Sequence, residues 1–200
     1  MEQQIKTMHE IIYGLTQLIN IVLFTGYAVY TLTWIVVSLI FKNNRFVKEL
    51  DEAANRLVPF LGILFFVLWM AGLVLFYTTE SAENIVGFNN RAFGKYWWGY
   101  WLQPTLYVVA TQLLWFSKFR HQEALRFLIA FVLFFSFEKF VILTTSLHRD
   151  YFPSSWEDES PANYFLWNLL DRFATALIFV VLALLYYFAV KFLKRDGAKI

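Results

Sequence analysis

Five long apolar blocks constrain the fold of this chain more than any other feature. Each is long enough to cross a hydrocarbon layer about 30 Å thick, which takes roughly 20 helical residues. The first three are uncharged, and the last two each carry one adjacent acid–base pair. They span residues 11–41, 57–77, 96–116, 127–147 and 164–190. Because 59% of the 200 residues are hydrophobic, polar side chains cannot cover these blocks, and the sequence predicts five transmembrane helices.

The expected fold class is therefore an all-α integral membrane protein with a single membrane domain, residues 1–200. The start of the chain lacks the basic flank of a signal peptide, so the first block is expected to be a retained helix. Pro59 suits the first turn of the second helix. Residues 78–101 are expected to form an outer loop that ends in a belt of Trp and Tyr at the headgroup level.

The distribution of Lys and Arg predicts the orientation of the chain. Eleven of these residues fall in the linker 42–56, the turn 117–126 and the tail after residue 190. Four fall in the segments on the opposite side, and the segment 148–163 there is acidic. Because basic segments stay in the cytoplasm, the amino terminus is expected outside and the carboxyl terminus inside. The basic excess is thus a signal of topology, and no nucleic-acid partner is expected.

Two acid–base pairs lie inside the apolar blocks, at Glu138–Lys139 and Asp171–Arg172. Glu138 lies about 14 Å, and Asp171 about 10 Å, below the outer end of its helix. Adjacent residues point about 100° apart, so pairing between helices is favoured, Glu138 with Arg172 and Asp171 with Lys139. A partner chain could supply one member instead. Intramembrane charges need partners and commonly mark function, but a structural ion-pair lock fits equally well.

A polar stripe also follows one face of the fourth helix, formed by Glu138, Thr145 and His148. Its carboxylate, hydroxyl and imidazole are typical of a half-channel for protons that opens at the outer surface. In a second interpretation, Thr145 bonds back to its own helix and His148 caps the helix end. Spacing alone favours the second interpretation.

Cofactor chemistry is limited by the composition. The chain has no cysteine, which excludes disulfides, thiolate-held iron–sulfur clusters and covalently attached haem in this chain. The histidines His9, His121 and His148 are not placed to face each other within the bilayer, as two axial haem ligands would be. No catalytic set or metal-ligand spacing is present in the sequence, so no cofactor bound by this chain is expected.

The stretch "FEKFVILTTSLHRDYFPSSW", residues 137–156, resembles a motif of the NrfD/polysulfide-reductase-type membrane subunits. The likeness is closest to the quinol-oxidising subunits of alternative complex III. Upstream, "FNNRAFGKYWWGYW" and "QLLWFSKFR" are similar to the outer loop, aromatic belt and turn of that family, in the same order. The resemblance covers roughly residues 57–170 and includes only the second half of the family's two four-helix bundles. It implies a four-helix bundle of helices two to five, plus one additional N-terminal helix.

The resemblance implies a membrane subunit of a quinol-linked respiratory complex in the bacterial inner membrane. Such a subunit would anchor outer-facing redox proteins, in which haem and iron–sulfur clusters are expected, and would conduct protons. The resemblance assigns a role to the four residues that fall on the motif: Glu138, His148, Arg149 and Asp150. Quinol is the expected ligand of the complex; whether this chain contributes to its site stays open. A small transporter or channel, and a purely structural assembly subunit, are the alternatives.

Overall fold

The computed structural model of the chain describes residues 2–40, 44–95, 97–134 and 161–197. Within these ranges every regular element is a helix, which confirms the predicted all-α class. In chain order they are α1 (Glu2–Gln17), a π-helical segment (Leu18–Phe24), α2 (Thr25–Ile40), α3 (Arg45–Thr79), α4 (Ala82–Ala92), α5 (Trp97–Leu113), α6 (Ser117–His121), α7 (Glu123–Phe134) and α8 (Pro161–Gly197).

Three of the described helical runs are long and apolar enough to cross a membrane: Thr7–Ser38, Arg45–Thr79 and Leu169–Lys194. The membrane character that the sequence predicts is therefore confirmed. Helix α5, in the third apolar block, has 17 residues, at the lower limit for a span. Of the fourth block, the structure describes the part that ends at Phe134.

The first helical run lies at the centre of the packing. Through α1 it contacts α3, and through α2 it contacts α7 and α8. A π-helical segment interrupts the run, and Leu23 and Phe24 in that segment are buried, as is Tyr27 just after it. The resemblance implies that this helix is an addition to a four-helix bundle; in the structure it supplies core residues that the other helices surround.

Aromatic rings form much of the core around that first run. The ring centroids of Phe24 and Phe65 are 5.4 Å apart, and those of Phe24 and Tyr107 are 5.6 Å apart in an edge-on arrangement. Tyr27 meets Phe179 of α8 edge-on at 5.5 Å. Such separations and tilts are the favourable ones for aromatic pairs. Rings from α3, α5 and α8 therefore converge on the first helical run.

Helix α3 begins at Arg45, within the polar linker, whereas the sequence placed the first turn of the second apolar helix at Pro59. Asn44 caps its amino terminus, because the Asn44 side chain accepts a hydrogen bond from the backbone N–H of Phe46 at 3.0 Å. The helix then continues through Pro59, which is an interior residue and not a first-turn residue. Its 35 residues extend over about 52 Å, more than the hydrocarbon thickness. The polar linker thus becomes a helical extension of the span.

The expected outer loop is also partly helical. Ser81 caps α4 by accepting a hydrogen bond from the backbone N–H of Asn84, and α4 occupies 11 residues of that segment. The indole of Trp101 donates to the carbonyl oxygen of Ala92 at 2.7 Å, which ties α4 to α5. Trp97, from the expected aromatic belt, is exposed, as a headgroup-level residue should be.

Glycine permits the close approach of α2 and α8 at Gly26. A Cβ added there would collide with the carbonyl oxygen of Thr175 and would lie 2.9 Å from the Cβ of Phe179. Small residues at helix crossings allow backbones this close together in membrane proteins. At Gly14, earlier in the same run, an added Cβ would meet no other atom within 4 Å, so this glycine makes no such contact.

We expect Gly26→Ala to lower the free energy of unfolding by roughly 1–3 kcal/mol, because the added methyl group forces α2 and α8 apart. Gly14→Ala is the matched control, and it should leave stability unchanged or raise it by up to about 1 kcal/mol through helix propensity. Thermal unfolding of both variants in detergent micelles measures the difference. Equal stability of the two variants would contradict a tight crossing at Gly26.

Candidate functional site

A cavity of about 700 Å³ lies among the charged ends of α3 and α8, the end of α2, and helices α6 and α7. We call it the basic cavity. Four acidic side chains line it: Glu49, Asp51, Glu52 and Glu123. Seven lining side chains are Lys or Arg: Arg45, Lys48, Arg56, Arg120, Arg126, Lys191 and Lys194. With His121 neutral, its lining therefore carries a formal charge of +3.

All three segments that the sequence predicted on the cytoplasmic side contribute to this cavity. The linker 42–56 contributes the first turns of α3, the turn 117–126 contributes α6 and the start of α7, and the tail contributes Lys191 and Lys194. Charges that are far apart in the sequence are thus gathered at one end of the helices.

A buried ion pair in the cavity wall joins α3 to α7. Arg126 donates from Nη2 to Oδ1 of Asp51 at 2.8 Å and from Nη1 to Oδ2 at 3.0 Å. The side chains are 4% and 14% exposed, respectively. The Arg126 guanidinium also lies 5.9 Å from the ring centroid of Trp34 in α2. This two-pronged geometry is the strong form of an arginine–carboxylate pair.

Tyrosine and asparagine side chains extend this ion pair into a network. The Tyr30 hydroxyl donates to Oδ1 of Asp51 at 3.0 Å. The Asn55 amide donates to the carbonyl oxygen of Asp51 at 2.7 Å, and the Tyr27 hydroxyl donates to Oδ1 of Asn55 at 2.9 Å. A buried charge is tolerated only when its partner and its hydrogen bonds are in place. The network therefore sets the relative positions of α2, α3 and α7.

A second carboxylate, Glu52, faces several cations at once. Its Oε1 lies 2.8 Å from Nε of Arg56 and 3.2 Å from Nε of Arg120, and its Oε2 lies 3.7 Å from Nε2 of His121. Arg120 is held in place by donating to the carbonyl oxygens of Leu114 and Trp115. One negative charge is shared here by two guanidinium groups, which leaves an excess of positive charge.

The third carboxylate, Glu49, connects α3 to α8. It accepts from Nε of Arg45 at 2.7 Å and from the Tyr187 hydroxyl at 2.9 Å. Lys191 donates from Nζ to the same Tyr187 hydroxyl at 3.0 Å and lies over the Tyr187 ring at 5.2 Å. Lys191 is therefore positioned by the same phenol that binds Glu49.

Some of the basic side chains of the cavity have donors that are not paired with an acidic side chain among the described residues. Lys48 and Lys194 line it and form no ion pair with any of the described residues. Nε of Arg126 is buried and has no hydrogen-bond acceptor within the described ranges. In the same ranges, no three His, Asp or Glu side chains come together as a metal site. The chemistry that this arrangement offers is the binding of an anion.

Most of the site residues that the sequence predicted lie outside the described residues: Glu138, Lys139, Thr145, His148, Arg149 and Asp150. The remaining two, Asp171 and Arg172, are in α8, where Asp171 is exposed. The Arg172 guanidinium lies 5.3 Å from the ring centroid of Phe134, at the end of α7. Arg172 therefore contacts the fourth apolar block four residues before Glu138, and its pairing with Glu138 stays a prediction.

The sequence did not single out Asp51 or Arg126. Both were counted as polar residues of a linker and a turn. A signal was present: Arg126 belongs to the buried face of α7 together with Ile129, Ala130 and Leu133, at helical spacings of three, four and seven residues. A charged residue on the same helix face as buried apolar residues is expected to be buried and paired, but the pattern does not identify its partner.

Comparison of the chain with protein-family models, with curated proteins and with solved structures gives no match. The likeness of residues 137–156 to the NrfD-type motif stays a prediction from those residues.

We expect Asp51→Asn and Arg126→Gln each to destabilise the protein by roughly 3–5 kcal/mol, because each leaves a buried charge without its partner. The double variant should lose clearly less than the sum of the two. Arg45→Gln is the control, since Arg45 is 92% exposed in its pair with Glu49 and should contribute less than about 1 kcal/mol. Thermal unfolding in micelles gives the double-mutant cycle, and additive losses would contradict direct coupling.

Proposed function

We propose that this chain is a membrane subunit of a quinol-linked respiratory electron-transfer complex. In this proposal it has five transmembrane helices, with the amino terminus outside and the carboxyl terminus in the cytoplasm. It anchors outer-facing redox subunits and conducts protons, without a catalytic centre of its own. The observation that carries the proposal is the string "TSLHRDYFPSSW" at residues 145–156, which resembles the NrfD-type motif.

The surface of α8 supports a place for this chain within a larger membrane assembly. Large apolar side chains on α8 are exposed from Leu166 to Leu193. At 100° per residue, they cover roughly two thirds of the helix circumference. A helix at the edge of a membrane bundle exposes such a surface to lipid or to another membrane subunit.

The charged pair in α8 supports the same proposal. Asp171 is an exposed carboxylate next to Arg172 in a largely apolar helix, and it forms no ion pair with the described residues. An ionised side chain at such a depth is costly unless it meets a partner. The proposal assigns that partner to Lys139 or to a residue of a neighbouring subunit.

Purification of the tagged chain from its native membranes tests the assignment to a respiratory complex. We expect haem or iron–sulfur subunits to co-purify in stoichiometric amounts, identified by mass spectrometry and by a reduced-minus-oxidised visible spectrum. A colourless preparation without redox partners would contradict the proposal.

We expect Glu138→Gln to slow quinol-coupled proton movement by about tenfold or more while the complex still assembles, because an amide cannot relay a proton. Glu83→Gln is the matched control, since Glu83 is an exposed carboxylate in α4. Proton uptake in vesicles that contain the whole complex is the measurement. Unchanged coupling in an intact Glu138→Gln complex would remove this residue from the proton path.

A small transporter or channel is the second candidate function. The observation that favours it is the Asp171–Arg172 pair within an apolar helix, since intramembrane charges commonly line the paths of ions and solutes. It predicts ion or solute flux in liposomes that contain this chain alone. Liposomes without flux would argue against it.

A further inference from the structure

We propose that the basic cavity binds the phosphate headgroup of an anionic phospholipid. This inference goes beyond the respiratory proposal and does not depend on it.

The charge of the cavity is the first support. Asp51 is neutralised by Arg126, and Glu49 by Arg45. Glu52 is a single carboxylate between two guanidinium groups. Lys48 and Lys194 add positive charge that no described acidic side chain pairs. With Lys191 and Glu123 also counted, the lining carries the formal charge of +3, and an anion of one or two charges would offset most of it.

The adjoining surface is the second support. A separate, apolar depression of about 660 Å³ on α8 is lined by Phe188, Ala189, Lys191 and Phe192. Lys191 belongs to both the depression and the basic cavity. Its stem can lie along apolar surface while its ammonium group faces the cavity. A ligand with an anionic head and an acyl chain fits this pair of neighbouring surfaces, whereas a free anion would use only one of them.

The position along the helices is the third support. The cavity is lined in part by the charged ends of α3 and α8, and both helices are longer than the hydrocarbon thickness. If these helices cross the membrane, their ends lie at the level of the lipid headgroups. Trp34, Tyr186 and Tyr187 line it, and such aromatic side chains favour the membrane–water interface. Basic pockets between transmembrane helices are known to take anionic headgroups.

Phosphate is the anion that the donors favour. Guanidinium groups bind phosphate through two parallel hydrogen bonds, and lysine binds it as a point charge. Both kinds of donor are available around Glu52 and at Lys48 and Lys194. An acidic protein segment could use the same charges, but it would leave the apolar depression on α8 unexplained.

The test is lipid-dependent thermal stability of the full chain in detergent. We expect dioleoyl phosphatidylglycerol to raise Tm at concentrations at least tenfold lower than dioleoyl phosphatidylcholine, which has the same acyl chains and no net charge. Lys48→Gln combined with Lys194→Gln should weaken the phosphatidylglycerol effect by roughly 25-fold, because each basic residue near an anionic surface contributes about fivefold.

Lys118→Gln is the matched control. Lys118 is exposed in α6, at the same end of the molecule, and does not line the cavity. Its response to phosphatidylglycerol should match that of the unchanged chain within about twofold. Lys48, Lys194 and Lys118 are all exposed, so the double variant and the control should both fold normally in the absence of lipid.

Four outcomes would overturn the proposal. Equal stabilisation by the two lipids would show that the headgroup is not recognised. If Lys118→Gln lost the phosphatidylglycerol effect to the same extent, the effect would come from diffuse surface charge and not from the cavity. Inorganic phosphate alone could also stabilise the chain, with the same dependence on Lys48 and Lys194. That result would show that the cavity binds phosphate but that the phosphate does not come from a lipid. Stabilisation by a polyglutamate peptide but not by phosphatidylglycerol would assign the cavity to an acidic protein partner.

Discussion

The buried ion pair between Asp51 and Arg126 is the interaction on which the arrangement of the helices most depends. Neither charge can leave water without the other, and the two hydrogen bonds fix both distance and direction between α3 and α7. Tyr30 brings α2 into the same network by donating to Asp51. A helix shifted by one turn would leave a charge buried without its partner, so this network selects one register among many apolar packings.

Apolar contacts between α2 and α8 add to the polar network. Gly26 allows α2 and α8 to approach closely, and Tyr27, one position further along, packs its ring against Phe179 of α8. The Tyr27 hydroxyl at the same time donates to Asn55 in α3. One side chain thus serves both the aromatic core and the polar network. This double role explains why the first helical run is central, with α3, α7 and α8 around it.

The basic cavity and the stretch of residues 137–156 offer different chemistry. The end that holds the basic cavity collects cations beside an apolar depression on α8, which is the combination that an anionic lipid requires. The stretch of residues 137–156, which resembles the NrfD-type motif, begins within the fourth apolar block and continues past it to His148, Arg149 and Asp150. In the proposed function, the basic cavity holds a lipid of the inner leaflet, while residues 148–163 meet redox partners outside. Lipid binding and the anchoring of redox subunits would then be separable properties of one chain.

Local features of the sequence were enough to determine the helical class and the membrane character, because each follows from composition within one block. The grouping of the basic segments followed from their alternation with the apolar blocks along the chain. The same features misplaced the start of α3, since Pro59 suits a first turn but the cap that begins the helix is Asn44. Long-range partners needed the tertiary structure. Asp51 and Arg126 are 75 positions apart, and Glu49 and Tyr187 are 138 apart. Which charge a buried side chain meets depends on how distant helices pack, and no periodicity within a single helix contains that information.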